Sequence, residues 1–168
     1  PEPVDMTELF GNIVDTVNIL TQKQDISISF SAEDHLRIVA DRELIVQRML
    51  NLLSNSIASC DRGGRIAVSL LRTDKNLIVC VDDNGSGIPS EELGIVFDKY
   101  KQHGSLSSTT GSGIGLAVAK SIAELHHGTL IIESRGEGQG TSVRVMLSYD
   151  IPSGKKLSAP ENEYEYNN

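Results

Sequence analysis

Two asparagines at helical spacing are the first residues in the chain that could do chemistry. Asn51 and Asn55 in "NLLSN" stand four positions apart, so on a helix both side chains project from one face. Amide oxygens are hard, neutral ligands that suit Mg²⁺ bound alongside phosphate oxygens. The same spacing is also typical of two polar positions that face solvent. Alone, the pair leaves a magnesium site and a solvated helix surface both open.

A second candidate is "DDNGSGI", residues 82–88, which joins an apolar strand to a glycine-rich turn. A carboxylate on rigid backbone can accept a hydrogen bond from an exocyclic amine such as that of adenine, and glycines let a flat ring approach the backbone. Asp-Asn-Gly is equally typical of a hairpin turn. Asp82 and Asp83 are strand neighbours, so their side chains should point to opposite faces.

Two further glycine-rich stretches follow along the chain. "GSGIGLAVAK", residues 111–120, opens onto a helical pattern, and backbone N–H groups at such a helix start can bind phosphate. A flexible hinge is the alternative for this stretch. "GEGQGT", residues 136–141, predicts a loose hairpin between two strands.

Composition limits the class of protein. Hydrophobic residues make up 39% of the 168 positions but aromatic residues only 4%, so the core must be built from Ile, Leu and Val. A net charge of −8 argues against a general nucleic-acid surface. No apolar run approaches a membrane span, and the first ten residues lack a signal-peptide pattern. Cys60 and Cys80 have no metal-ligand spacing and are expected to be reduced and buried.

Apolar periodicity predicts the elements that must position these stretches. The predicted helices are 4–21, 41–60 (with Asp41 as N-cap), 89–97 and 114–128. The predicted strands are 25–34, 36–41, 65–73, 76–83, 129–135 and 141–149.

The remaining segments and the strand order indicate the domain organisation. Polar residues 98–113 predict a mobile loop of a length that usually serves a function. From residue 150 the chain is polar and acidic, so we expect one domain over 1–149 and a flexible tail over 150–168. Strands occur as adjacent pairs, which favours a mixed or largely antiparallel sheet with helices on one face over a Rossmann fold.

In this order and at these intervals, the four stretches resemble the histidine-kinase-like ATPase superfamily, and most closely the catalytic, ATP-binding domain of sensor histidine kinases. "QRMLNLLSNSIAS" is similar to that family's asparagine box, "DDNGSGIP" to its first glycine box, "VFDKY" to its phenylalanine box and "GSGIGLAVAK" to its second glycine box. "ELHHGTLIIESRGEGQGTSVRVML" is similar to the segment that ends the domain. The resemblance covers roughly residues 4–148.

The resemblance implies an α+β fold of the Bergerat type. This is a two-layer α/β sandwich in which a mixed, mostly antiparallel sheet packs on helices, with a mobile ATP lid. The implied cofactors are ATP and Mg²⁺. Carried over by position, Asp83 would accept the adenine amine, and Gly85 and Gly87 would let the base and sugar lie against the backbone. Ile88 and Thr141 would lie in the same nucleotide site.

The resemblance also implies the phosphate end of the site. Asn55 would be the main Mg²⁺ ligand, with Asn51 beside it near the phosphates. Lys99 and Lys101 are lid cations that would meet phosphate charge, although each could equally be a solvated loop charge. The other residues implied for the lid and the phosphates are Phe97, Tyr100, Gly111, Ser112, Gly113, Ile114, Gly115 and Leu116. Asn51, Asn55 and Lys101 would be the catalytic set.

The asparagine box favours phosphoryl transfer over hydrolysis. Gyrase-type, mismatch-repair and chaperone ATPases resemble this chain but place a glutamate four residues before the Mg²⁺ asparagine, where it activates water. Here that position is Asn51, and Gln47 lies one turn earlier. Neither amide can serve as a base. The resemblance therefore implies an ATP-dependent protein histidine kinase.

The histidine that would accept the phosphoryl group is not evident in this chain. None of its four histidines (His35, His103, His126 and His127) lies in a stretch like the family's His-Glu dimerisation helix. The chain is therefore expected to be one domain of a larger sensor kinase, in the cytoplasm and without direct membrane contact. Its implied partners are the dimerisation and histidine-phosphotransfer domain of the same kinase and a response-regulator receiver domain.

Two departures from the family pattern leave alternatives open. Ala58 stands where the family often has lysine, and Gln102 stands where the lid often has arginine. Fewer fixed cations should weaken the hold on the phosphates. A nucleotide-binding regulatory domain with little catalysis is therefore one alternative. An anti-sigma-type serine kinase, which uses the same ATP site, is another.

Overall fold

The structure of the protein is a computed structural model that describes residues 1–33, 35–87, 129–134, 136 and 138–148. The predicted helices 89–97 and 114–128, the predicted loop 98–113 and the tail lie outside the described residues. The described elements, in chain order, are β1 (Glu2–Asp5), α1 (Met6–Thr21), a 3₁₀ turn (Gln22–Gln24), β2 (Ser27–Ala32), β3 (Arg37–Ala40), α2 (Arg42–Ser59), β4 (Arg65–Arg72), β5 (Asn76–Asp83), β6 (Thr129–Ser134) and β7 (Thr141–Ser148).

Both described helices begin at an aspartate cap. The side chain of Asp41 accepts a hydrogen bond from the backbone N–H of Leu44 at 3.0 Å, so the predicted N-cap of α2 is confirmed. Asp5 accepts from the N–H of Glu8 at 3.1 Å and begins α1 in the same way. The described helices do not combine the length and the apolarity needed to cross a membrane.

The start of the first predicted helix was wrong by two residues. Residues 2–5 form β1, which pairs antiparallel with β3 in a separate two-stranded sheet. Val4 is buried and continues the apolar pattern of α1, which is why the periodicity placed it in the helix.

The main sheet has five strands in the order β2-β4-β5-β7-β6. Only β2 and β4 are parallel, and the other neighbours are antiparallel, which confirms the mixed, mostly antiparallel sheet. The predicted antiparallel pair β4–β5 is present, and so is the predicted hairpin of β6 and β7. Strands β2 and β3 follow each other along the chain but belong to different sheets.

One face of the main sheet packs against the two described helices. Alternate residues of the central strands are buried together with the apolar faces of α1 and α2 in one core: Ile66, Val68, Leu70, Leu77, Val79, Val81, Val143, Val145 and Leu147. The other face is mostly polar or exposed. Cys80 on that face is buried, whereas Cys60 at the end of α2 is only partly buried, so the expected burial is confirmed for Cys80 alone; both are free thiols.

Candidate nucleotide site

Asp83 is the last residue of β5, and its carboxylate is hydrogen-bonded to the turn that follows. Its Oδ1 accepts from the backbone N–H of Gly85 at 2.9 Å. Thr141 lies opposite Asp83, because the two residues are direct partners in the β5–β7 ladder. The backbone of Thr141 and the side chain of Ser56 also lower the pKa of this carboxyl, which is expected of polar groups close to it.

The surroundings of Asp83 oppose its negative charge overall. Burial raises the pKa of this carboxyl above 3.8, and the negative charge of Asp82 adds to the effect. The hydrogen bond from Gly85 and the polar groups of Thr141 and Ser56 lower the pKa but offset burial only in part. Asp82 is exposed on the opposite face of the sheet, as strand alternation predicted.

The turn after Asp83 is fixed against the end of α2 and the start of β4. The N–H of Ser86 donates to the carbonyl of Ser59 at 2.9 Å. A Cβ atom at Gly85 would lie 2.6 Å from that same carbonyl oxygen, so only glycine fits there. The side-chain oxygen of Asn84 accepts from the N–H of Arg65 at 2.7 Å and extends the sheet pattern by one residue.

The same turn is fixed on its other side by the hairpin between β6 and β7. Gly140 donates its N–H to the carbonyl of Gly85 at 3.1 Å, and Gly138 donates to the carbonyl of Ser86. Gly87 has a φ of 69°, and a Cβ atom there would collide with the carbonyl oxygen of Gly136. The stretch "GEGQGT" is therefore more than a loose hairpin, because it is hydrogen-bonded to the turn that follows Asp83.

Helix α2 brings the predicted asparagines to the same end of the domain. Asn55 is partly buried and lies one turn before Ser59, whose carbonyl is bonded to the turn after Asp83, while Asn51 lies exposed one turn earlier still. The Asn55 amide nitrogen donates to the backbone carbonyl of Asn51 at 3.0 Å. This bond engages the nitrogen, so the amide oxygen is the atom that could coordinate a cation.

The described residues fit an adenine nucleotide and a Mg²⁺ ion in chemical type. Asp83 supplies an anchored acceptor, and Asn55 supplies an amide oxygen of the kind that Mg²⁺ accepts when most of its ligands are phosphate and water oxygens. Within the described ranges, no group of three or more His, Cys, Asp or Glu side chains could hold a metal ion by itself.

The structure brings together Asp83, Gly85, Gly87 and Thr141, and it places Asn51 and Asn55 on the adjoining helix. His35, the one histidine among the described residues, is exposed beside Asp5 before β3. The predicted site residues that lie outside the described part of the chain are Ile88, Phe97, Lys99, Tyr100, Lys101, Gly111, Ser112, Gly113, Ile114, Gly115 and Leu116.

Sequence reasoning missed two serines at the end of α2. Ser56 is 6% exposed and its side chain lowers the pKa of Asp83, and Ser59 accepts from Ser86 through its backbone carbonyl. Ser56 carried one available signal. It is a polar residue at a helix position where the apolar spacing of Met49, Leu52 and Leu53 points to burial.

These features define an α/β sandwich with an anchored carboxylate at one end of the sheet and amide side chains on the neighbouring helix. The chain belongs to the family described as histidine kinase-, DNA gyrase B- and HSP90-like ATPase, whose model matches residues 40–151. This match covers the asparagine box, both glycine boxes and the last strands.

Curated relatives are similar to this chain over part of their length. The sensor-like histidine kinase SenX3 of Mycobacterium tuberculosis (strain ATCC 25618 / H37Rv) is 30% identical over 164 residues, which is 96% of this chain and 40% of SenX3. The histidine protein kinase DivJ of Caulobacter vibrioides is 39% identical over 113 residues, which is 67% of this chain and 19% of DivJ. The chain thus spans two fifths or less of these relatives.

Solved structures share the fold. The catalytic domain of the histidine kinase ThkA has a TM-score of 0.73 at 26% identity, covering 88% of this chain and 96% of that one. The mycobacterial sensor histidine kinase MprB has a TM-score of 0.67 at 29% identity, covering 88% and 97%. The chain therefore has the Bergerat fold of histidine kinase ATPase domains.

Proposed function

We propose that this chain is the ATP-binding catalytic domain of a two-component sensor histidine kinase. It would transfer the γ-phosphoryl group of ATP to a histidine on a dimerisation domain. The observation that carries the proposal is the position of Asp83 at the end of β5, where the N–H of Gly85 holds its carboxylate. The turn after Asp83 is bonded to Ser59 at the end of α2, and Asn55 lies one turn earlier on the same helix.

Asp83 would select the base. The carboxylate accepts hydrogen bonds and cannot donate them when ionised, so it pairs with the amine of adenine and is repelled by a carbonyl at that ring position. Rigid attachment to β5 and the two glycine turns supports selection, because the carboxylate cannot swing away from an unsuitable base.

Asn55 would hold Mg²⁺ and Asn51 would lie near the phosphates. When bound, Mg²⁺ withdraws negative charge from the phosphate oxygens and so favours transfer. The second glycine box (111–116), together with Tyr100, Lys99 and Lys101, would contribute backbone amides and positive charge around the phosphates.

The α2 surface favours transfer to a protein over hydrolysis. Asn51 and Gln47 are both exposed on α2, and an amide has no basic atom that could take a proton from water. The chain would therefore bind and orient ATP while an imidazole of the acceptor attacks phosphorus.

The proposed partners follow from the relatives. SenX3 and DivJ are histidine kinases much longer than this chain, which supports a dimerisation domain elsewhere in the same kinase. A solved structure holds ThkA in complex with the response regulator TrrA, which supports a receiver domain as the downstream partner. The proposed location is the cytoplasm.

Two measurements test the proposal. The first is calorimetric titration with a Mg-ATP analogue and with Mg-ADP, each with and without EDTA. The second is phosphate release from ATP. We expect binding that requires Mg²⁺, and no phosphate release above the spontaneous rate. Asn55→Asp should change the Mg²⁺ dependence, whereas the exposed neighbour Ser54→Ala should not. Rapid hydrolysis would contradict the kinase proposal, and absence of nucleotide binding would contradict the whole account.

A further inference from the structure

Arg48 on α2 has a buried polar atom without a partner. Its Nε is buried and makes no hydrogen bond, although the side chain as a whole is only partly buried. Neither of the two ion pairs among the described residues involves Arg48. The helix positions three and four residues away carry no carboxylate: they are Leu44, Ile45, Asn51 and Leu52. Since a guanidinium does not lose its proton, the described part of the chain leaves a permanent positive charge on α2 without a paired carboxylate.

An unpaired donor of this kind costs stability. Burial removes the Nε–H of Arg48 from water, and no protein acceptor replaces the lost hydrogen bond. Native proteins pair nearly all buried polar groups, and a functional role is one physical reason for an exception. The ligand that matches a permanently charged guanidinium is an anion, and phosphate oxygens fit its planar donors two at a time.

Arg48 lies on the helix face that carries the two asparagines. Asn51 and Asn55 follow it by three and seven positions, a spacing at which residues share one face of an α-helix. The other end of α2 is bonded through Ser59 to the turn after Asp83. From that end the residues of this face run Asn55, Asn51 and Arg48, and Arg48 lies roughly 16 Å along the helix from Ser59. A nucleotide whose base is held at Asp83 would therefore direct its last phosphate toward Arg48.

We propose that Arg48 binds the terminal phosphate of ATP, with its guanidinium donating hydrogen bonds to oxygens of the γ-phosphate. This rests on the proposed function. Arg48 would supply from α2 a cation that the chain lacks at Ala58 and Gln102. The unpaired Nε–H is then a donor kept for the ligand, at a cost to the stability of the free protein.

The predicted consequence separates ATP from ADP. ADP has no third phosphate, so the proposed contact is made with ATP alone. Loss of the guanidinium should therefore weaken the binding of a triphosphate and leave the binding of the diphosphate nearly unchanged.

Calorimetry at pH 7.5 compares Mg-ADP with Mg-adenylyl imidodiphosphate, a non-hydrolysable ATP analogue that carries a third phosphate. Arg48→Met should bind the analogue about tenfold more weakly than wild type, and Mg-ADP within about twofold of wild type. Arg48→Lys, which keeps the charge but not the planar donors, should recover part of the loss. Arg42→Met removes the same charge from an exposed position of α2 and should alter neither affinity.

Urea unfolding of the nucleotide-free protein separates this role from a structural one. Arg48→Met replaces an unpaired buried donor by an apolar chain, so its unfolding midpoint should equal or exceed that of wild type. A lower midpoint would show that Arg48 is paired within the protein and would overturn the premise.

Three binding outcomes would also overturn the inference. If Arg48→Met binds the analogue as wild type does, Arg48 does not bind the terminal phosphate, and the proposed function stands without it. If the variant loses affinity for both probes equally, Arg48 only supports the structure of the site. If wild type binds neither probe, the proposed function fails and the inference fails with it.

Discussion

Gly87 and Gly136 meet so closely that no side-chain atom fits between them: a Cβ atom on Gly87 would collide with the carbonyl oxygen of Gly136. This contact joins the turn after β5 to the hairpin between β6 and β7. The two turns are far apart in the sequence and together hold the backbone around Asp83. The glycines are thus needed for protein packing, in addition to any room they leave for a base.

Substitution at Gly87 should therefore do more than strain the backbone. Alanine at positive φ costs about 1–2 kcal/mol, and we expect the collision in Gly87→Ala to add about 1–3 kcal/mol of unfolding free energy. Mg-ADP should bind at least about tenfold more weakly, because the turn that carries Gly85 is displaced. Urea unfolding and calorimetry measure the two effects.

Gly138→Ala is the matched control for this prediction. Gly138 also has positive φ, 75°, but a Cβ atom there would meet nothing within 4 Å. It should show only the backbone cost, with Mg-ADP affinity near that of wild type. Equal losses for the two variants would mean that the contact between the turns does not matter for the site.

Asn18 stabilises an edge of the main sheet. Its amide donates to the carbonyl of Ile28 at 2.6 Å and accepts from the N–H of Ile28 at 2.9 Å, so it pairs with β2 as a neighbouring strand would. Asn18→Ala should lower the unfolding free energy by about 2 kcal/mol. Asn12→Ala, at an exposed position of the same helix, should change it by less than about 0.5 kcal/mol, and a similar loss there would rule out this explanation.

Affinity for Mg-ADP should begin to fall at a higher pH than it would if Asp83 had the usual pKa of an aspartate. The pKa of Asp83 is raised, chiefly by burial, so it becomes protonated at a pH above the usual 3.8. A protonated carboxyl loses the charge that favours the adenine amine, so affinity for Mg-ADP should fall as the pH drops through this raised pKa. Calorimetry in steps from pH 7.5 downward measures the midpoint.

The stability of the nucleotide-free protein should respond to Asp83 in the opposite direction. The folded chain binds the Asp83 proton more tightly than the unfolded chain, so ionised Asp83 lowers stability above its folded-state pKa, and this cost disappears as the pH falls through it. Asp82→Asn removes a charge that raises the pKa, so it should shift the midpoint of Mg-ADP binding to lower pH. An unmoved midpoint would contradict the assignment to Asp83.

Local pattern predicted the parts of the site that lie within single elements. The sequence predicted the spacing of Asn51 and Asn55 and the strand that ends at Asp83, because helix and strand periods repeat within a few residues. The pairing of Thr141 with Asp83 and the bond from Gly140 to Gly85 depend on the register between β5 and β7, which no local pattern contains. Strand β1 was not predicted for a related reason, since its pairing with β3 is not local either.

The central claim is that Asp83 is the base-recognising acceptor of an ATP site, and one calorimetric comparison tests it most directly. Mg-ADP is titrated into wild type, Asp83→Asn and Asp82→Asn, with folding checked by circular dichroism. The two variants remove the same charge from adjacent residues that lie on opposite faces of the sheet. We predict a loss of at least about tenfold in affinity for Asp83→Asn and wild-type affinity for Asp82→Asn at pH 7.5. Equal affinities in the two folded variants would contradict the account.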